Sequence, residues 1–188
     1  MAEMTATAIQ AAGQECEEAL AQFLGTAVAF VPQQWVERGM DELVEAVAQM
    51  DVAQETRRTI VVGVYGCVQG YLVLMLAPQD AERIADWVLD GADDPKLRES
   101  VLAEVGNLVT ARLLMGLSKE LQLVSEALPT PPETHTDFSG ALLESLVALM
   151  AAQGCDRLVH AVWRLQIHLP EGKPAGGTAH FFLPLQSP

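Results

Sequence analysis

Positive charge is scarce in this sequence. Eleven Lys and Arg against 25 Asp and Glu leave a formal net charge of -14 and a pI near 4.5. Such a field repels nucleic-acid phosphates and anionic membrane surfaces, so neither is expected as a partner, whereas a basic or amphoteric protein remains compatible. Cysteine is scarce as well: Cys16, Cys67 and Cys155 lie far apart, with no CxxC and no Cys/His spacing suited to zinc. The odd count and the acidic start, Met1-Ala2-Glu3-Met4, where a signal peptide would be basic, point to a reducing cytoplasm. No Walker loop, dinucleotide fingerprint or HExxH occurs, and Pro174-Ala175-Gly176-Gly177 is expected in a hairpin turn rather than as a phosphate cradle. Long uninterrupted hydrophobic runs are missing too. Ile60 to Pro78 comes nearest to a membrane span, but Gly63, Gly66, Gly70 and Gln69 break it, and it reads as two buried strands joined by a turn.

Half of the 188 residues are apolar and 19% are charged, enough for one domain over 1–188 with a sizeable core. Apolar positions Ile9, Ala12, Cys16, Leu20 and Phe23 recur at helical spacing, predicting a helix from Thr5 to Leu24 that stops at Gly25. Thr26 to Val31 reads as a short strand closed by Pro32, and Gln34 to Met50 as an amphipathic helix. Two strands, Thr59–Tyr65 and Gly70–Leu76, flank Gly66-Cys67-Val68-Gln69 as a hairpin. A helix then starts at Pro78 and ends before Gly91. Leu121 to Leu128 reads as a further strand, Thr130 to Phe138 as a loop, and Gly140 to Gln153 as a helix. Arg157 to Leu169 alternates as a long strand, Pro170 to Gly177 as a turn, and Thr178 to Leu185 as the returning strand. The sum is a mixed α+β domain with a mostly antiparallel sheet.

The stretch from Asp94 to Met115 organises the rest. Asp94 is placed as N-cap before Pro95, with the helix running on toward Leu121. At 3.6 residues per turn, Leu102, Val105, Val109 and Leu113 form the buried stripe, while Ser100, Glu104, Asn107 and Ala111 gather on the opposite side. Glu104 and Asn107, three apart, project side by side. Alone, such a pair is most often merely solvated; a carboxylate beside an amide on a stiff rod nevertheless suits a partner better than a core. Other candidates are weaker. His160 and His168 share one face of a strand, but two ligands do not make a metal site. His135 and His180 have no partner nearby in sequence, Ser125 and Ser139 lack a nucleophile elbow, and Met40, Met50, Met75, Met115 and Met150 read as core filler. No metal or cofactor is expected in the chain itself.

The string Ser100-x3-Glu104-x2-Asn107, with Gly106 before the Asn and Pro129 about twenty residues on, resembles the signature of the CheC/CheX/FliY phosphatases. Val61 to Leu74 resembles that family's strand–Gly–strand hairpin, and the likeness is clearest over 56–132. The resemblance implies a CheC-like fold, a mostly antiparallel sheet carrying two long helices, here with an extra helix near 140–153 and possible embellishments at 33–55 and 134–155. It also implies hydrolysis of the aspartyl phosphate on a CheY-like response regulator. Asn107 would orient the attacking water, Glu104 would dock on the partner's lysine, and Ser100 and Ala111 would border the contact. The regulator would supply its own Mg2+. Family members often carry the motif twice. Here Gln14 to Ala21 pairs Glu17 with Leu20 and Glu18 with Ala21, so one site per chain is expected, as in homodimeric CheX. Two alternatives share the ridge or the sheet: a non-catalytic interaction module in a signalling or flagellar assembly, and a small-molecule sensor.

Overall fold

The computed structural model describes residues 6–48, 56–121, 127–170 and 172–185. In chain order the elements are α1 (Ala6–Leu24), β1 (Val28–Gly39), α2 (Met40–Ala48), β2 (Thr56–Gly66), β3 (Gly70–Leu76), α3 (Pro78–Val88), α4 (Pro95–Leu121), β4 (Ala127–Pro129), β5 (Glu133–Phe138), α5 (Ser139–Ala152), β6 (Arg157–Ile167) and β7 (Ala175–Pro184). The strands form one antiparallel sheet in the order β1-β6-β7-β3-β2, with β4 and β5 both pairing β2 at the far edge.

Alternation in the strands assigns the sheet two covered faces. Leu72, Leu74 and Leu76 of β3 join Ile60, Val62, Trp163 and Phe181 under α1, α3 and α4; Val73 and Met75 join Leu158 and Phe182 under α2 and α5. The central strand β3 is therefore apolar on both sides, which is why its sequence is a nearly continuous hydrophobic run. Apart from the short β4, the order α1-β1-α2-β2-β3 is repeated as α4-β5-α5-β6-β7, and each half lends the strand after its long helix to the other half: β1 pairs β6, and β5 pairs β2. The two halves meet where β3 pairs β7.

The long helix forms where its signals place it. Asp94 Oδ1 accepts the backbone N–H groups of Lys96 (2.9 Å) and Leu97 (3.3 Å), satisfying donors that the first turn leaves open. Its stripe Leu102, Val105, Val109 and Leu113 is buried, each side chain contributing roughly 1.5–3 kcal/mol. The window Pro95–Lys119 is long and apolar enough to cross a membrane by composition, yet it is the central core helix of this fold.

Several expected elements differ. Residues 34–39 continue β1 and only 40–48 are helical; Pro32 does not close the strand, because β1 is an edge strand with a register shift between Pro32 and Gln34, where the missing N–H disturbs no ladder. The polar stretch expected as a loop contains β5, held by β2 through pairs such as Thr59 with His135. Of the strand expected from Leu121 to Leu128, residues 122–126 lie outside the described residues, and Ala127–Pro129 pair with Val64–Gly66. The returning strand starts earlier than expected, at Ala175. A Cβ at Gly176 or Gly177 would lie 2.1 Å from the Leu165 oxygen or 2.0 Å from that of Met75, so these glycines let neighbouring backbones close.

Candidate functional site

Gly106 sets the depth of α4 on the sheet. A Cβ there would lie 2.5 Å from Ile60 Cγ2, so only glycine allows the helix to seat on β2. Thr110 closes the next turn by donating its hydroxyl to the Gly106 carbonyl (2.8 Å). With that side pressed on the sheet, the opposite side faces solvent. Ser100, Glu104 and Ala111 are exposed and Asn107 is partly exposed. Among the described residues, neither the Glu104 carboxylate nor the Asn107 carboxamide has a hydrogen-bond or ion-pair partner. Ser100 differs: its hydroxyl donates to the Lys96 carbonyl (2.9 Å), so it serves its own helix. The ridge expected from the sequence is therefore assembled, with two polar side chains open to a visitor.

Its base is fixed at both ends. Arg98 reaches from α4 to Glu82 (2.8 Å) and Asp86 (2.5 Å) of α3. Farther along, α1 lies antiparallel against α4. A Cβ on Gly116 would come within 2.5 Å of Ala12 Cα, Lys119 pairs with Glu15, and Cys16 Sγ donates to the Val109 carbonyl at 3.4 Å. Burial pushes the Cys16 thiol well above its ordinary pKa, so it is an inert core group.

A shift of 93 residues brings the buried positions of α1 onto those of α4. Ile9, Ala12, Cys16, Leu20 and Leu24 are buried, as are Leu102, Val105, Val109, Leu113 and Leu117. Gly13 falls on Gly106, and a Cβ at Gly13 would meet the Phe30 oxygen at 3.0 Å and Trp163 Nε1 at 3.3 Å. The counterpart of Glu104-x2-Asn107 is thus Ala11-x2-Gln14. It is not the pair starting at Glu17 or Glu18, since Glu17 accepts the Phe30 backbone N–H (3.1 Å) and supports β1. The marker in the sequence is the glycine before the carboxamide rather than an acid followed by any third residue. Either register leaves α1 without the Glu/Asn pair.

A shared strand face does not bring His160 and His168 together. His168 is exposed beyond the end of β6, whereas His160 is 1% exposed and pairs with His180 at 5%. His160 Nε2 lies 3.0 Å from His180 Nδ1, His180 Nε2 lies 3.1 Å from Thr178 Oγ1, and the His160 ring stacks on Phe182 with centroids 4.7 Å apart. Burial lowers both imidazoles, His160 to about 3 with help from His180 and Arg38, and His180 to about 4. They are neutral structural groups on the face away from α4. His135 has Glu133 at 3.7 Å. Ser125 lies outside the described residues. Among the described residues, no three His, Cys, Asp or Glu side chains gather to hold a metal.

No family model matches the sequence, and no curated protein matches it significantly. Solved structures do match. FliY from Thermotoga maritima aligns over 96% of this chain and 92% of its own, with TM-score 0.64 and 15% identity. CheX from Desulfovibrio desulfuricans aligns over 94% and 99%, with TM-score 0.61 and 13% identity. CheX in the CheX–CheY–BeF3–Mg2+ complex from Borrelia burgdorferi aligns over 94% and 97%, with TM-score 0.54 and 16% identity. The chain has the α+β fold that the CheX, FliY and FliM middle-domain structures share.

Proposed function

We propose that this chain speeds hydrolysis of the aspartyl phosphate on a CheY-type response regulator, with α4 as its working surface. The carrying observation is the unpartnered Glu104–Asn107 pair, held outward by a glycine-seated helix in a fold that CheX also uses. An acyl phosphate already hydrolyses unaided, and the regulator brings its own lysine and divalent metal. What a helper adds is placement of water in line with phosphorus, a contribution of several kcal/mol. The Asn107 carboxamide both donates and accepts, so it can hold a water in one orientation, but it cannot serve as a base. Glu104 suits docking: a carboxylate paired to the partner's lysine fixes the register of the complex. The Borrelia burgdorferi complex gives the precedent for the pairing of folds, with BeF3 standing in for the phosphoryl group of CheY.

The likeness to a FliM middle domain and to a FliG–FliM complex supports a second reading in which the same ridge docks a partner without hydrolysis. Phosphate release from phosphorylated receiver domains, with and without the protein, separates the two. Under the phosphatase reading, Asn107→Ala removes most of the acceleration and leaves affinity nearly intact, while Glu104→Ala raises KM about tenfold. No acceleration by the parent protein over the receiver's own decay rules out hydrolysis.

A further inference from the structure

We infer that Leu97 sets how tightly the regulator docks, by meeting an apolar surface beside the cation that pairs with Glu104. This rests on the receiver-docking reading above and extends it from chemistry to affinity. Leu97 is 47% exposed in the first turn of α4. It stands seven residues before Glu104, two turns along the same face and roughly 10 Å away by helical rise. Leu108, four residues past Glu104, packs partly on the core and keeps part of its side chain at the surface; Met115, seven further on, is also partly exposed. At 100° per residue, Leu97, Leu108 and Met115 align along one flank of the ridge, with Asn107 on the other.

Charge on this face is sparse. From Leu97 to Met115 the charged residues are Arg98, turned to Glu82 and Asp86 on α3, Glu99 on the far side of the helix, Glu104, and Arg112, whose Nη1 lies 4.0 Å from Met115 Sδ. Over its first part, Leu97 to Leu108, the outward strip presents one carboxylate, Glu104, beside aliphatic side chains. Its complement is one cation set in an apolar surround, and the receiver domain with its active-site lysine is the occupant to which the proposal commits. A second copy of this chain is a poor fit, because a two-fold contact through the strip would bring Glu104 against Glu104. An exposed ion pair alone adds little affinity, and burial of Leu97 against the receiver adds to it.

The test uses the full chain, CheY-type receivers from the source organism, and both their phosphorylated and their beryllofluoride-loaded forms. Leu97→Ser is expected to raise both KM and the Kd for loaded receiver about tenfold, with kcat within about twofold of the parent. Leu97→Met is expected to restore both constants, and melting temperature to stay unchanged in either variant because the side chain is half exposed. Unchanged KM and Kd in Leu97→Ser overturn the inference, and with Asn107→Ala still inactive they leave the phosphatase reading standing. A parent that binds loaded receiver without releasing phosphate sinks the phosphatase reading instead, and Kd then decides the role of Leu97. A parent that neither binds nor hydrolyses overturns both.

Discussion

On α1, Gly13 lies against Phe30 and Trp163, followed by Gln14 and preceded at two residues by Ala11; on α4, Gly106 lies against Ile60, followed by Asn107 and preceded at two residues by Glu104. The inward positions agree: Ala12, Cys16 and Leu20 are as buried as Val105, Val109 and Leu113. The outward positions do not. Thr7, Ala11, Gln14 and Glu18 stand where the other helix has Ser100, Glu104, Asn107 and Ala111. The shared positions answer to a sheet that must be covered twice. The differing ones are free of that demand, and the proposed function assigns the carboxylate and the carboxamide that α4 alone carries to a partner.

The largest break in this comparison is expected in turnover. Asn107→Ala lowers phosphate release on the order of a hundredfold, whereas Gln14→Ala leaves it within about twofold, both read by the same phosphate-release assay. Next come the two seating glycines. Gly106→Ala drives a methyl into Ile60 and costs about 2 kcal/mol in urea unfolding, while Gly13→Ala, with 3.0 Å to its nearest neighbour, stays within about 1 kcal/mol because alanine favours the helix.

A third contrast sets the two faces of the sheet apart. The imidazoles of His160 and His180 have folded pKa values near 3 and 4, below the ordinary 6.5 of the unfolded chain. Below pH 6.5 the unfolded chain takes up protons that the folded one refuses, so stability falls as pH drops toward 4. The slope is about 1.4 kcal/mol per pH unit for each imidazole kept neutral. Melting curves of the parent and of His160→Leu/His180→Val over that range check it: the variant flattens the dependence. The smallest effect belongs to a graft. Ala11→Glu with Gln14→Asn gives α1 the missing pair and at most doubles phosphate release per chain, the two ridges acting independently.

What the sequence disclosed follows from which forces are local. The Asp94 cap, the stripe from Leu102 to Leu113 and the β2–β3 hairpin are written in neighbouring residues, and the exposure of Ser100, Glu104, Asn107 and Ala111 follows from that stripe. The continuation of β1 past Pro32 is not local, because it depends on the chain being an edge with a bulge. Glu133–Phe138 is a strand only because β2 offers it an edge, and its polar residues carry no strand pattern of their own. The His160–His180 pair comes from two strands whose register no spacing rule supplies. The correspondence of α1 with α4 is marked in the sequence by Gly13-Gln14 and Gly106-Asn107, but the marker gains its meaning only from the contacts of those glycines with the sheet.

The account turns on Asn107 acting on water rather than on binding. Single-turnover decay of phosphorylated receiver, followed with saturating Asn107→Ala protein, tests this apart from affinity. The account predicts decay at the receiver's own rate while beryllofluoride-loaded receiver still binds as to the parent. Decay as fast as with the parent protein would contradict it.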